Sequence, residues 1–239
     1  MPLLRRTHRH AEGRLRRRLA LEFYPRFVRP GSLCFDVGAN RGERTAVFLE
    51  LGATVVAVEP HPGCVRELNE RYGRSDRVIV LPVGLAESPG VRTMRLAEAT
   101  TLSSMSDKFI ERTQNTGRFS NFSWSSETTV RVTTLEHMIA VFGTPDFCKI
   151  DVEGYEGAVL RPLTTPIPAL SFEVAAELVD EACDCIDLLQ RLGDYRFAYS
   201  PEETFRQLWE GASAAEAKNQ LAELADGDQF GDVYATIID

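Results

Sequence analysis

The sequence predicts an α/β fold: a doubly wound, mostly parallel sheet of seven strands, helices on both faces and an antiparallel strand at the edge. Three observations predict it. Apolar runs of about 4–8 residues alternate with amphipathic helical stretches along most of the chain, the pattern of βα units around a parallel sheet. The first run leads into FDVGANRGERT (35–45), a glycine-bearing turn that opens a helix. The second ends in an acid, Glu59, which lies 21 residues after Gly38. A doubly wound fold places its ribose-binding carboxylate at about that distance.

The elements follow in order. Strand one is 32–37. Arg41 to Leu51 reads as a helix with Val47, Phe48 and Leu51 on one face and Gly52 as its stop. Strand two is 54–59. A helix at about 63–72 sets Val65, Leu68 and Tyr72 at helical spacing before Gly73, and strand three is 77–84. A strand at 91–96 then leads into a Ser/Thr-rich excursion that runs to about residue 128, too long for an ordinary connector. Phe109, Phe119, Phe122 and Trp124 are scattered in it. We expect a substrate lid there, ahead of a subunit contact that would support a homodimer. Order resumes at 130–135, with a short helix carrying Leu135, Met138, Ile139 and Phe142. Strand four is 147–151, and the helix after Gly154 stops before Pro162. Strand five is 169–174, followed by a helix at 177–192. The runs 195–199 and 233–238, with a helix near 214–225 between them, make a hairpin-like pair that supplies the antiparallel edge. The expected division is a basic helical extension over 1–30 and a main domain over 31–239 with an insertion near 97–128.

Composition sets outer bounds. At 239 residues, with 44% hydrophobic and 26% charged residues, the chain suits one soluble α/β domain with additions. No apolar run approaches the ~18 residues of a membrane span. The five cysteines show no metal-ligand spacing with the four histidines. Cys34 and Cys148 fall in strands as small core residues, and Cys183 and Cys185 fall in a helix, which suits a reduced, cytoplasmic setting. Charge is unevenly spread. Residues 1–18 hold seven arginines and one glutamate, a formal +6, which leaves −14 for the rest of a chain of net charge −8. The segment lacks the apolar core of a secretory signal. Leu15 and Leu19, four apart, predict a helix packed on the domain. Contact with an anionic partner, a lipid surface or an acidic carrier, is the other use of such arginines. The acidic remainder argues against a nucleic-acid partner.

Chemistry narrows the ligand. Asp36 stands two residues before Gly38, so a carboxylate faces whatever the loop cradles. That suits a cationic or neutral ligand better than a pyrophosphate. The spacing Gly38-x-x-x-Gly42 also departs from the G-x-G-x-x-G of dinucleotide sites. An adenosine ligand without phosphates fits best, and an NAD-dependent dehydrogenase is the minor alternative.

PDFCKIDVEGYEGAVL (145–160) is similar to the signature of the FkbM family of S-adenosyl-L-methionine (SAM) dependent methyltransferases. FDVGANRGERT, VVAVEPHP (55–62), VLPVGLAES (80–88) and VRVTTLEHM (130–138) resemble that family's other blocks in the same order, over about residues 33–174. The resemblance implies a Rossmann-like class I methyltransferase that O-methylates a hydroxyl of a sugar or secondary metabolite, its partner being a small-molecule or glycan acceptor. A SAM-binding protein without catalysis is the second reading. Pro162 stands where a glycine is more usual, and the Arg-rich N-terminus and the excursion lie outside the shared blocks.

With SAM as cofactor, roles can be assigned. Glu59, followed by Pro60, offers two oxygens to the ribose hydroxyls. Asp36, Gly38 and Gly42 face the methionine end. Asn40 and Thr45 bind the ligand carboxylate or hold the loop, and Gly84 and Leu85 contact adenine. Strand four ends at the carboxyl edge of the sheet, where open α/β folds bind ligands. Asp151 is the first candidate for general base or acceptor-orienting group, Glu153 the second, and Glu173 an orienting group. Lys149 shares a sheet face with Asp151 and pairs with a carboxylate or serves the reaction. His61 and His137 are expected to be structural. A divalent metal such as Mg²⁺, held by Asp151, Glu153 and Glu173, is an expectation we do not favour.

Overall fold

The glycine-bearing turn sits at the tip of a central strand. In the computed structural model, which describes residues 2–117, 119–202, 204–224 and 229–238 and side chains from residue 12 onward, β1 (Leu33–Val37) lies between β2 (Thr54–Val58) and β7 (Phe147–Ile150) and runs parallel to both. β3 (Val78–Leu81) extends the sheet beyond β2, and β8 (Ala169–Ala175) beyond β7, again in parallel. The last strand, β11 (Phe230–Ile237), is antiparallel to β8 and to β9 (Tyr195–Pro201), and β10 (Trp209–Ala212) closes the edge antiparallel to β9. The order is β10-β9-β11-β8-β7-β1-β2-β3. The direction of winding reverses between β1 and β7, so a crevice opens outside their carboxyl ends.

The sheet has eight strands rather than seven. The extra one, β10, is four residues long and contains Glu210 and Gly211, and its pairing with β9 shifts register between Trp209 and Ala212. Such a short run carries little strand propensity of its own. The third strand is also shorter than its apolar run. Pro82 lacks an amide hydrogen and ends the ladder, and Gly84–Leu85 forms β4, which joins a separate three-stranded sheet with β6 (Ser126–Thr133) and β5 (Gly90–Leu96). β5 and β6 are an antiparallel pair, and the excursion is the crown between them.

Helices cover both faces. α5 (Leu135–Phe142), α6 (Glu156–Leu160), α7 (Val179–Gln190) and α8 (Ala214–Ala222) pack Met138, Val159, Ile186 and Leu221 against the face bearing Phe35, Val56 and Cys148. α2 (Glu43–Glu50) and α3 (Pro62–Tyr72) cover the opposite face through Val47, Phe48 and Leu68. The end of α1 (Pro2–Phe23) joins them with Ala20, Phe23 and the following Tyr24, which packs edge-on to Phe48 at 5.0 Å and Phe147 at 5.6 Å. Fully burying each such side chain contributes roughly 1.5–3 kcal/mol. Leu15 does not pack as expected: it is 48% exposed, and the helix's apolar packing on the domain begins at Leu19. Arg17 pairs with Glu50 across the α1–α2 contact. No helix of the described residues is long and apolar enough to cross a membrane. All five cysteines are free thiols, four of them buried.

The excursion is more ordered than its polar composition predicts. It holds α4 (Asp107–Thr116), whose first turn is capped by Ser106 Oγ accepting from Phe109 N at 3.1 Å and which ends at the left-handed Gly117. Phe109 is buried with Leu102 and Leu178, against which Phe119 and Trp124 pack.

Candidate active site

The sheet's reversal point opens into a cavity of about 670 Å³, lined from both sides by the loops after β1, β2 and β7 and roofed by the excursion. The size suits one cofactor-sized ligand together with a small acceptor.

The first half is built by the Gly38–Gly42 loop. Three residues there, Gly38, Asn40 and Gly42, have positive φ, of 79°, 47° and 79°. Gly38 is required twice over, by its backbone and by its surroundings. A Cβ at Gly38 would lie 1.7 Å from the carbonyl oxygen of Asp151. Glu59 ties the loop to its own strand end: its Oε2 accepts from Asn40 N at 2.7 Å, and its Oε1 from His61 N at 2.7 Å. Burial pushes Glu59 up to about 7 even though both amides oppose the shift. Behind the loop, the buried Asp36 accepts from Thr45 Oγ1 at 2.5 Å. Burial raises its carboxyl above the ordinary range, with Thr45 and Lys149 working against the rise. Asn40 holds the loop, its Oδ1 accepting from Thr100 Oγ1 at 3.1 Å and from Cys64 Sγ at 3.4 Å.

Of the residues expected on this side, Asp36, Gly38, Asn40, Glu59, Pro60, Gly84 and Leu85 line the cavity. Gly42 and Thr45 do not. Gly42 turns toward Leu68 and Tyr72, either of which a Cβ would meet at 2.8 Å. Thr45 is fully buried and reaches the cavity only through Asp36. His61 caps α3, its Nδ1 accepting from Gly63 N at 3.1 Å and Cys64 N at 3.3 Å, and His137 is exposed on α5.

The second half brings Lys149, Asp151, Glu153 and Glu173 together on the same cavity. Lys149 Nζ lies 2.6 Å from Asp151 Oδ2. Burial disfavours this ammonium, but the Asp151 and Asp232 carboxylates outweigh it and hold Lys149 above its ordinary value, so it stays charged. Asp36 pairs with Lys149 across β1 and β7, and Asp232 pairs with Glu173 across β11 and β8. One carboxylate oxygen each of Asp151, Glu153 and Glu173 lies within 4.8 Å of the others. Burial, then the charges of Glu153 and Asp151, push Glu173 well above the carboxylate range. Their spacing would allow the three oxygens to share a divalent cation, and the Lys149 ammonium on Asp151 Oδ2 is a positive charge that competes with one there.

The loop between these groups is held from below. Glu156 Oε1 accepts from Val152 N at 3.0 Å and Gly154 N at 3.3 Å, and burial pushes Glu156 up to about 7. Sequence reasoning missed several lining residues: Asp232 on the last strand, Arg44 on α2, Arg16 on α1, and Ser104 and Met105 of the excursion, whose Phe119, expected in a lid, also lines the cavity. Asp232 was open to discovery only through sheet register; Arg44 lies within FDVGANRGERT, and Arg16, Ser104 and Met105 belong to no quoted motif.

A short stretch of the chain, 54 residues, is 39% identical to a chloroplastic ribosomal RNA small subunit methyltransferase of Arabidopsis thaliana, a match that spans 23% of this chain and only 16% of that protein. Among solved structures, the chain is similar to a precorrin-6y C5,15-methyltransferase from Geobacter metallireducens (TM-score 0.48, 10% identity, 93% of this chain and 87% of that one). It is also similar to Aeropyrum pernix fibrillarin in complex with SAM (TM-score 0.45, 11% identity, 88% and 68%). The methyltransferase FkbM domain matches residues 36–199, from the acid behind the glycine loop through both halves of the cavity, and the chain belongs to that family.

Proposed function

We propose that the protein is a SAM-dependent O-methyltransferase acting on a hydroxyl of a sugar or secondary metabolite. The observation that carries this reading is the abutment of two loops on one cavity: Gly38 of the glycine loop lies directly against the Asp151 carbonyl. A cofactor cradled by the first loop is thereby delivered to the acids of the second. Asp36 faces the methionine end of SAM, Glu59 the ribose, and Gly84 and Leu85 the adenine. When bound, SAM supplies an activated methyl group, and the acceptor oxygen bonds to that carbon as the C–S bond breaks and its electron pair stays on sulfur.

The chain's own groups align the acceptor and take its proton. Lys149 engages Asp151 Oδ2, and the remaining oxygen accepts the hydroxyl proton. A positioned base contributes about 10²–10⁴-fold, and alignment several kcal/mol more. Glu173 orients the acceptor from the end of β8, while Glu153 accepts from a neighbouring hydroxyl. Carboxylates outnumber cations along the cavity, which favours a neutral polyhydroxylated acceptor over a phosphorylated one or a nucleic acid. The excursion is read as the lid over that acceptor.

The test is transfer of labelled methyl from SAM to a panel of neutral sugars, glycosides and phenols. Label on an acceptor hydroxyl is the expected result. SAM binding with no transfer to any of them would favour a non-catalytic SAM-binding protein.

A further inference from the structure

We propose that Ser104, in the excursion, is a positioning residue for the acceptor-side acid Glu153. The inference rests on the O-methyltransferase reading above, and its geometry is independent of it. Glu153 has φ +54° and Gly154 φ +81°, two successive left-handed residues, the first of which carries a side chain and so costs roughly 1–2 kcal/mol. Such a conformation persists only when its surroundings over-determine it.

Two sets of contacts do so. Glu156 holds the amides on either side of Glu153. From above, Ser104 Oγ donates to the Glu153 carbonyl oxygen at 2.7 Å. Ser104 is itself fixed: it is 1% exposed, its Oγ accepts from Ser106 N at 2.8 Å, and its backbone exchanges two hydrogen bonds with Arg95 of β5, at 2.8 and 3.0 Å. The same segment then enters α4, whose Phe109 packs on Gly154 so closely that a Cβ there would lie 2.6 Å from Phe109 Cβ. Four residues before Ser104, Thr100 bonds Asn40 of the glycine loop. The 100–104 segment thus spans the cavity, one end on the cofactor loop and the other on the acid loop. Ser104 turns the Glu153 backbone so that its carboxylate joins Asp151 and Glu173.

The experiment compares Ser104→Ala, Ser104→Thr, Glu153→Gln and the Ser104→Ala/Glu153→Gln double variant. Each is assayed with labelled SAM and whichever neutral sugar or glycoside the unaltered protein methylates fastest. Ser104→Ala should lower kcat by about tenfold to a hundredfold, the scale of a misplacement near 1 Å, with SAM affinity within twofold. Ser104→Thr, which keeps the hydroxyl, should restore most of the rate. Adding Ser104→Ala to Glu153→Gln should cost no more than Glu153→Gln alone, because the two act through one carboxylate. Glu153→Gln leaves the carbonyl contact in place, so it reports even if Ser104→Ala fails to fold, with Ser104→Thr then expected to fold and turn over. Full kcat in Ser104→Ala, or losses that simply add in the double variant, would overturn the proposal. An unaltered protein that methylates nothing would bring down the functional reading and this inference with it.

Discussion

The two halves of the cavity solve different problems. On the cofactor side, each acid has fixed partners: Glu59 accepts two backbone amides and Asp36 a threonine hydroxyl. On the acceptor side, Asp151, Glu153 and Glu173 crowd within 4.8 Å, and Lys149 answers Asp151 directly. The first arrangement is a preformed cradle. The second crowds three carboxyl groups together, and burial with the charges of Glu153 and Asp151 raises Glu173 well above the carboxylate range. A rigid binding half and a poised reacting half should therefore respond separately to mutation.

The largest separation is expected from Asp151→Asn, which should leave SAM binding nearly intact and lower methyl transfer by about 10²–10⁴-fold. Full turnover in that variant would remove Asp151 from the base role. Gly38→Ala is the opposite case, because it strikes the seam between the halves. Its Cβ would meet the Asp151 carbonyl at 1.7 Å, and nothing in a backbone–backbone contact can swing aside. A loss of about 2–4 kcal/mol in denaturant unfolding, with SAM binding and transfer failing together, is the expected result. Glu59→Ala should weaken SAM by about tenfold or more, since it removes both the ribose partner and the anchor of Asn40. Near-normal calorimetric affinity would take Glu59 out of that role.

A pH titration sharpens the contrast further. Glu59 titrates near 7 when folded because burial raises it, whereas the unfolded chain releases that proton at the ordinary carboxylate value. The folded state therefore holds an extra proton between the two values, and stability declines as pH rises through that window. SAM needs the ionised form to accept its ribose hydroxyls. Its affinity should climb by up to about tenfold from about pH 6 to pH 8 and then level off. Glu59→Gln should flatten the curve. The smallest effect is expected at the lid. Lys108 and Arg112 of α4 reach Asp180 at 2.9 and 2.6 Å, and Arg112 above all holds Asp180 below its ordinary range. These groups are partly exposed, so Lys108→Ala should raise the acceptor KM only two- to threefold, roughly the ~0.5 kcal/mol of a surface pair, and added salt should erase the difference.

The cofactor half was legible because it is local: strand, glycine turn and next strand-end acid lie within 25 residues, from Phe35 to Glu59. KIDVEGYE likewise placed Lys149 at the end of a strand with Asp151 and Glu153 in the loop that follows. Spacing could not say which way a side chain turns: Gly42 packs against Leu68 and Tyr72 behind the loop, and Thr45, left open between ligand and loop, holds Asp36 from behind. Leu15 shows the same limit, its helical spacing being real but its face having nothing to cover it. Asp232 and Ser104 join the site through sheet register and through a crown folded back over the crevice, and neither leaves a trace in neighbouring residues. α4 hid in a polar run, although Ser106 before it and Gly117 after it are the cap signals of a helix.

The measurement that tests the central claim most directly is calorimetric titration of the protein with SAM, with NADH as the comparison ligand. Micromolar SAM affinity, about −8 kcal/mol, with no NADH signal is what the cavity predicts. NADH binding without SAM binding would contradict the account at its root.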